Sequence, residues 1–260
     1  MHEYSTNFAG WRELTEFLKQ VFNFVVMPLV KIYQKRIGYS NANLLLGNST
    51  AILVDTGVKG NLKALKVWFK QHNLAPADIQ LIILTHTHYD HTGNLIELQK
   101  ITGAKVLVHK NEFDNLKNGN TPVPQGQGKY AAWISGLGRK LWPRFASPAP
   151  LVADLINDDE FDLKDFGVDG KVISTPGHSV GSQSVLLGNT LIAGDTFVNM
   201  RNGRIFPPFA DEPEILLETW QKIFNMGIKV VYPGHGKKFT LEKAFPDFDK
   251  WSKNLAKRIT

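Results

Sequence analysis

The chain contains no cysteine. That absence excludes disulfides, iron–sulfur clusters, thiolate metal ligands and a thiol nucleophile, and it fits a reducing compartment. Long apolar runs are missing as well. The most apolar early stretch, Val21 to Tyr33, is interrupted by Asn23, Pro28 and Lys31. It is too short to span a bilayer, so no integral membrane segment is expected. The opening residues Met1-His2-Glu3-Tyr4-Ser5 lack a basic segment followed by an apolar core; no export signal is expected, and the expected location is cytoplasmic. Lys and Arg outnumber Asp and Glu by 30 to 24, but they are scattered and form no long run. Such a pattern reads as a solvated surface, and no nucleic-acid partner is expected. What is present is an ordinary globular composition, 43% hydrophobic and 21% charged. At 260 residues a large core is attainable without disulfide staples.

Periodicity orders the rest. Leu14, Phe17, Leu18, Val21 and Phe22 carry helical spacing, and Pro28 argues against that helix continuing. Val25 to Tyr33 reads as a strand, at an edge because of its proline. Ala42–Leu46 and Ala51–Val54 read as strands joined by Gly47-Asn48-Ser49. Asn61 is a candidate cap for a helix to about Gln71, with Leu62, Leu65, Trp68 and Phe69 inward. The strand Leu81–Leu84, a helix from about Gly93 to Ile101 and the strand Lys105–Val108 follow. The alternation predicts an α/β layered fold. Residues 111–150 break the rhythm with a Pro- and Gly-rich loop and an aromatic, basic stretch that includes Tyr130, Trp133, Arg139 and Trp142. A lid insertion and a helical excursion with core aromatics both fit it. Short strands return at 171–174, 184–187 and 191–193, and Asp211 with Glu214 resembles a capping box for a helix ending at Gly227. The strand Ile228–Tyr232 and a C-terminal helix from about Leu241 to Ile259, broken at Pro246, complete a single domain spanning 1–260.

The chemistry concentrates in Thr85-His86-Thr87-His88-Tyr89-Asp90-His91-Thr92-Gly93, directly after the strand Leu81–Leu84. Imidazole and carboxylate are the ligands zinc or iron prefers. Residues i and i+2 of an extended segment share a face, so His86 and His88 can reach one ion together. Asp90 and His91 follow where the chain should turn, and can point at a second. Three later stretches each place one potential ligand after a predicted strand: Thr175-Pro176-Gly177-His178, Gly194-Asp195-Thr196 and Pro233-Gly234-His235-Gly236. Strand ends on one sheet edge converge, which gathers ligands distant in sequence. His2, His72 and His109 have no such setting and read as surface or structural residues.

In combination these motifs, with the upstream Val54-Asp55-Thr56-Gly57, resemble the metallo-β-lactamase superfamily from about Asn43 to Gly236. The resemblance implies a four-layer αββα sandwich with metals at one edge. It implies one ion on His86, His88 and His178, a second on Asp90, His91 and His235, and Asp195 bridging them. It also implies that Asp55 orients a ligand imidazole through a hydrogen bond; a turn-forming aspartate before Gly57 is the alternative. Two divalent ions are implied, with zinc expected and iron or manganese as alternatives. The implied activity is a hydrolase that uses a metal-activated hydroxide to cleave a thioester, ester or lactone of a small molecule, with Asp90 handling protons. Glyoxalase II-like and lactonase-like hydrolases are the nearest branches by motif. The short tail after Gly236 argues against glutathione specificity. An iron-dependent oxygenase resembling the persulfide dioxygenases is the alternative. Association of copies is left open.

Overall fold

A computed structural model describes residues 30–47, 50–141 and 150–259. The predicted helix around Trp11 to Phe22 and the first half of the predicted strand Val25 to Tyr33 lie outside the described residues, as does Trp142.

Two six-stranded sheets face each other. The first runs in chain order through β1 (Lys31–Ile37), β2 (Ser40–Leu46), β3 (Ala51–Val54), β4 (Ile79–Ile83), β5 (Lys105–His109) and β6 (Leu155–Asn157). Its first three strands are antiparallel neighbours, and β3 through β6 pair in parallel. Crossovers are made by helices α1 (Leu62–Gln71), α2 (Tyr89–Thr92), α3 (Leu95–Thr102), α4 (Lys110–Asn118) and α5 (Lys129–Leu141). The second sheet holds β7 (Glu160–Asp162), β8 (Lys171–Ser174), β9 (Gln183–Leu187), β10 (Thr190–Asn199), β11 (Val230–Gly236) and β12 (Phe239–Thr240). Helices α6 (Pro213–Phe224) and α7 (Phe245–Ile259) accompany it.

Strand alternation sorts the side chains into three cores. In β3, Ile52 and Val54 point between the sheets, where Leu81, Ile83 and Leu107 meet Val172, Val185 and Ile192. Ala51 and Leu53 point the other way, onto Leu65, Trp68 and Phe69 of α1 and Leu98 of α3. On the outer face of the second sheet, Leu191 and Ala193 pack with Leu216, Trp220 and Ile223 of α6 and Trp251 of α7. Helix, sheet, sheet, helix is the predicted αββα order.

Local details differ from the sequence reading for identifiable reasons. The first described strand is Lys31–Ile37 and continues past Tyr33 through Gln34-Lys35-Arg36. Among the described residues it is an edge strand, where charged residues are tolerated and blunt edge-to-edge pairing. Asn61 begins α1 but its side chain does not cap it; Asn61 Nδ2 donates to the Val58 carbonyl instead. No capping box opens α6: Pro213 takes the first turn, and Asp211 Oδ1 accepts from Gln125 N at 2.9 Å. The C-terminal segment changes at the predicted break, from a 3-10 turn over Leu241–Ala244 to the α-helix α7 from Phe245, so that Pro246 sits in the first turn of α7, where its missing N–H needs no partner. Both β10 and β11 run further than predicted, so Asp195 and His235 lie within strands, not after them. The parallel β10–β11 ladder shifts register on each side of Gly194, next to Asp195.

Candidate metal centre

The predicted site residues meet at one rim. The chain leaves β4 through His86, is extended at His88, and the single turn of α2 then swings Asp90 and His91 back beside them. His178 follows β8 through a tight turn at Gly177, whose φ is +125° and whose added Cβ would lie 2.4 Å from Leu216 Cα. Asp195 comes from β10 and His235 from β11. Gly234 lets these two strands approach: a Cβ there would lie 1.9 Å from Asp195 Oδ1.

Among the described residues, three groups have donor atoms within 4.8 Å of one another: His86, His88 and His178; Asp90, His91 and His235; and His86, His91 and Asp195. His88 Nδ1 lies 3.0 Å from His178 Nε2. His235 Nε2 lies 3.3 Å from both Asp90 Oδ2 and Asp195 Oδ2. The Asp195 carboxylate stands between the first two groups, with Oδ2 3.6 Å from His178 Nε2 and Oδ1 3.5 Å from His91 Nε2.

Four of the five imidazoles are aimed by their other nitrogen. His178 Nδ1 bonds the Phe209 carbonyl at 2.9 Å and His235 Nδ1 the Tyr39 carbonyl at 2.8 Å. His86 Nδ1 pairs with Thr85 Oγ1 at 3.0 Å. His91 Nδ1 pairs with Asp55 Oδ2 at 2.8 Å, and Thr85 donates to the same carboxylate from its N and Oγ1, both at 2.8 Å. Four of the five rings therefore present Nε2 to the cluster, while His88 presents Nδ1.

Burial and charge sort the protonation states. Burial pushes His86 and His88 below the usual imidazole range, and it brings His178 down to about 4. Burial would do the same to His91 and His235. Asp90, Asp55 and Asp195 overcome it at His91, which is raised well above its usual value. Asp195 overcomes it at His235, which rises to about 10. Asp90 and Asp195 are held below the carboxylate range despite burial, chiefly by His91 for Asp90 and His235 for Asp195.

Three buried atoms here have no hydrogen-bond partner: His86 Nε2, His91 Nε2 and Asp195 Oδ1. An unpaired buried polar group costs about 1–3 kcal/mol. Divalent cations coordinated by nitrogen and oxygen would satisfy these atoms, so the donor set fits divalent metal.

Sequence comparison bears on this geometry. The family model of the metallo-beta-lactamase superfamily matches residues 36–235, a span that includes all seven clustered residues and Asp55. The chain belongs to the metallo-beta-lactamase superfamily. It is 31% identical over 204 residues to a Methanocaldococcus jannaschii protein named Probable metallo-hydrolase MJ0888, covering 77% of this chain and 89% of that one. It is 27% identical over 176 residues to a hydroxyacylglutathione hydrolase of Shewanella loihica, covering 68% of this chain and 54% of that protein. Among solved structures, the metallo-beta-lactamase family protein TTHA1429 from Thermus thermophilus superposes with a TM-score of 0.65 at 22% identity, covering 87% of this chain and 80% of that one. At that identity the likeness shows the shared fold.

Two features of this superfamily member escaped the sequence reading. Glu112, in the first turn of α4, is 2% exposed. Its Oε1 accepts from Ser179 Oγ at 2.6 Å, and its Oε2 accepts from Thr87 Oγ1. Thr87 separates His86 from His88, and Ser179 follows His178, so one carboxylate ties together both loops of the first group. Its position just past a buried strand end was the available signal. The other feature is Tyr39, whose hydroxyl bonds that of Tyr89 and whose ring stacks on His235 with 6.4 Å between centroids. Of the aromatic residues Tyr130, Trp133 and Trp142 in the 111–150 insertion, Tyr130 and Trp133 lie among the described residues. They stack on each other, 76% and 66% exposed, and α5 faces the cleft with Ile134, Ser135 and Gly138.

Proposed function

We propose that this chain is a dinuclear metallo-hydrolase that cleaves a small-molecule thioester, ester or lactone. In this reading His86, His88 and His178 hold one ion, Asp90, His91 and His235 hold the other, and Asp195 bridges them. Zinc is the proposed metal. The observation that carries the reading is the approach of Asp195 to both groups, with unpaired donor atoms turned inward. Similarity to the hydroxyacylglutathione hydrolase supports acyl-group hydrolysis.

Two adjacent divalent ions, when bound, lower the pKa of water toward neutrality and polarise an acyl oxygen. The residues of the chain do the rest. In thioester cleavage a C–O bond forms at the acyl carbon, the C–S bond breaks, and the proton lost by water ends on the departing sulfur. Asp90 Oδ2, 3.3 Å from His235 Nε2 and lining the cleft, is the group proposed to carry that proton. Backbone and side-chain anchors fix the imidazoles, so little reorganisation is needed during reaction. The segment 121–138, which forms one wall of the cleft, acts in this reading as a cover over the substrate. A cytoplasmic setting belongs to the same reading and rests on the cysteine-free sequence. None of the described helices is long and apolar enough to cross a membrane.

The test is a panel of thioesters, lactones and phosphoesters run on protein of measured metal content. Hydrolysis by protein holding two zinc ions per chain supports the reading. One iron per chain with oxygen consumption and no hydrolysis overturns it in favour of the oxygenase.

A further inference from the structure

The centre opens into a cleft of about 1120 Å³ whose two sides differ in chemistry. The side next to His178 is apolar, formed by Pro122, Val123, Pro124 and Ile134 with Pro208 and Phe209. It is one bonded unit with the centre. The Phe209 carbonyl accepts from His178, Gly126 bridges to Phe209, and Gln127 N donates to the Pro208 carbonyl at 2.7 Å.

The side next to His235 is cationic. Arg36, Arg201, Lys237 and Lys243 edge it. Lys237, Lys243 and Arg36 surround the end of β11, and Arg201 lies two residues past the end of β10. Asn199 Nδ2 donates to the Lys237 carbonyl at 2.8 Å, Lys243 Nζ donates to Asn199 Oδ1 at 2.7 Å, and Arg36 pairs across from Asn41, which donates to the Gly236 carbonyl at 2.7 Å. Among the described residues none of these four cations makes an ion pair with a carboxylate. Among the same residues, the only carboxylates lining the cleft are Asp90 and Asp195. Unpaired cations beside a low-dielectric wall focus a positive field into the cleft and raise the local concentration of anions. An open apolar wall gains by being covered, at about 25 cal/mol per Å².

We infer that the substrate is an anionic amphiphile, with its scissile acyl group at the metal centre. Its apolar acyl arm lies along the Pro122–Ile134 wall on the His178 side. Its leaving group carries a phosphate or carboxylate to Arg36, Arg201, Lys237 and Lys243 on the His235 side. This substrate class rests on the hydrolase reading above.

The test pairs S-decanoyl pantetheine with its 4′-phosphate, which differ only in a charge remote from the thioester. On zinc-loaded protein, kcat/KM is expected to be about tenfold higher for the phosphate. That preference should fall as salt rises and collapse toward unity in the double variant Arg201→Glu, Lys237→Glu. S-acetyl pantetheine phosphate should be the poorer substrate through KM. Calorimetric binding of the non-cleavable S-decyl thioethers separates the two readings. Tighter binding of the phosphorylated thioether, abolished in the double variant, upholds the substrate class even if no thioester is turned over, an outcome that would count against hydrolysis alone. Equal binding and equal turnover of the charged and neutral compounds would overturn the substrate class and leave hydrolysis standing.

Discussion

Asp55 Oδ2 lies 2.8 Å from His91 Nδ1, and Asp55 holds this position with a φ of +61°. A non-glycine residue in left-handed backbone costs about 1–3 kcal/mol, held in place here by the surrounding contacts. Thr85 donates to both carboxylate oxygens, and the Asp55 N–H is spent on the Ile83 carbonyl. The carboxylate thus fixes which nitrogen of His91 faces the centre.

Asp55→Asn isolates that role, because asparagine tolerates left-handed backbone and fills the same space. The variant should fold, yet lose about 10–100-fold in metal affinity or activity. Competition against a chromophoric chelator reads the affinity. Wild-type metal affinity in this variant would remove Asp55 from the account.

Glu112→Gln should loosen the first group. The amide keeps one acceptor oxygen, so the bonds from Ser179 and Thr87 cannot both survive. A loss of about 1–3 kcal/mol is expected in denaturant unfolding. Faster metal loss to a chelator should accompany it, because Thr87 and Ser179 adjoin His86, His88 and His178. An unfolding loss with unchanged metal release would reduce Glu112 to a packing role.

His109 gives a pH dependence away from the centre. Its Nδ1 accepts from Asn111 N at 3.2 Å and its Nε2 donates to Ser174 Oγ at 2.9 Å, joining the first sheet to β8 of the second. Burial lowers its pKa below the usual 6.5. The unfolded chain therefore binds the proton more readily than the folded one. Stability from this group is complete above the unfolded value and is lost as pH falls from there through the folded pKa. The difference in unfolding free energy between wild type and His109→Asn should shrink across that window. A pH-independent difference would contradict the assignment.

The sequence was legible where period and motif coincide. Leu81–Leu84 and Ala51–Val54 alternate between two cores, and the histidine motif announces the rim at which β4 ends. It was less legible where tertiary pairing overrides composition. Gln34-Lys35-Arg36 carries no strand pattern, yet hydrogen bonds to β2 make it one. Asp195 and His235 read as loop residues beside glycines, but the two strands that carry them pair in parallel with shifted register. Glu112 carried only the signal of its place past a strand end, because its partners, Thr87 and Ser179, are brought to it by the fold.

His88→Ala removes the one imidazole that presents Nδ1 to the centre, facing His178 Nε2 at 3.0 Å. Turnover should be abolished and metal retention weakened in the purified variant. Full activity would contradict its assignment as a ligand.

The central claim is that seven side chains from separate segments hold two ions. Anomalous scattering from crystals grown with zinc, recorded on both sides of the zinc edge, tests it most directly. The account expects two peaks, one among His86, His88 and His178 and one among Asp90, His91 and His235, with Asp195 touching both. A single peak, or none among these residues in metal-loaded protein, would contradict it.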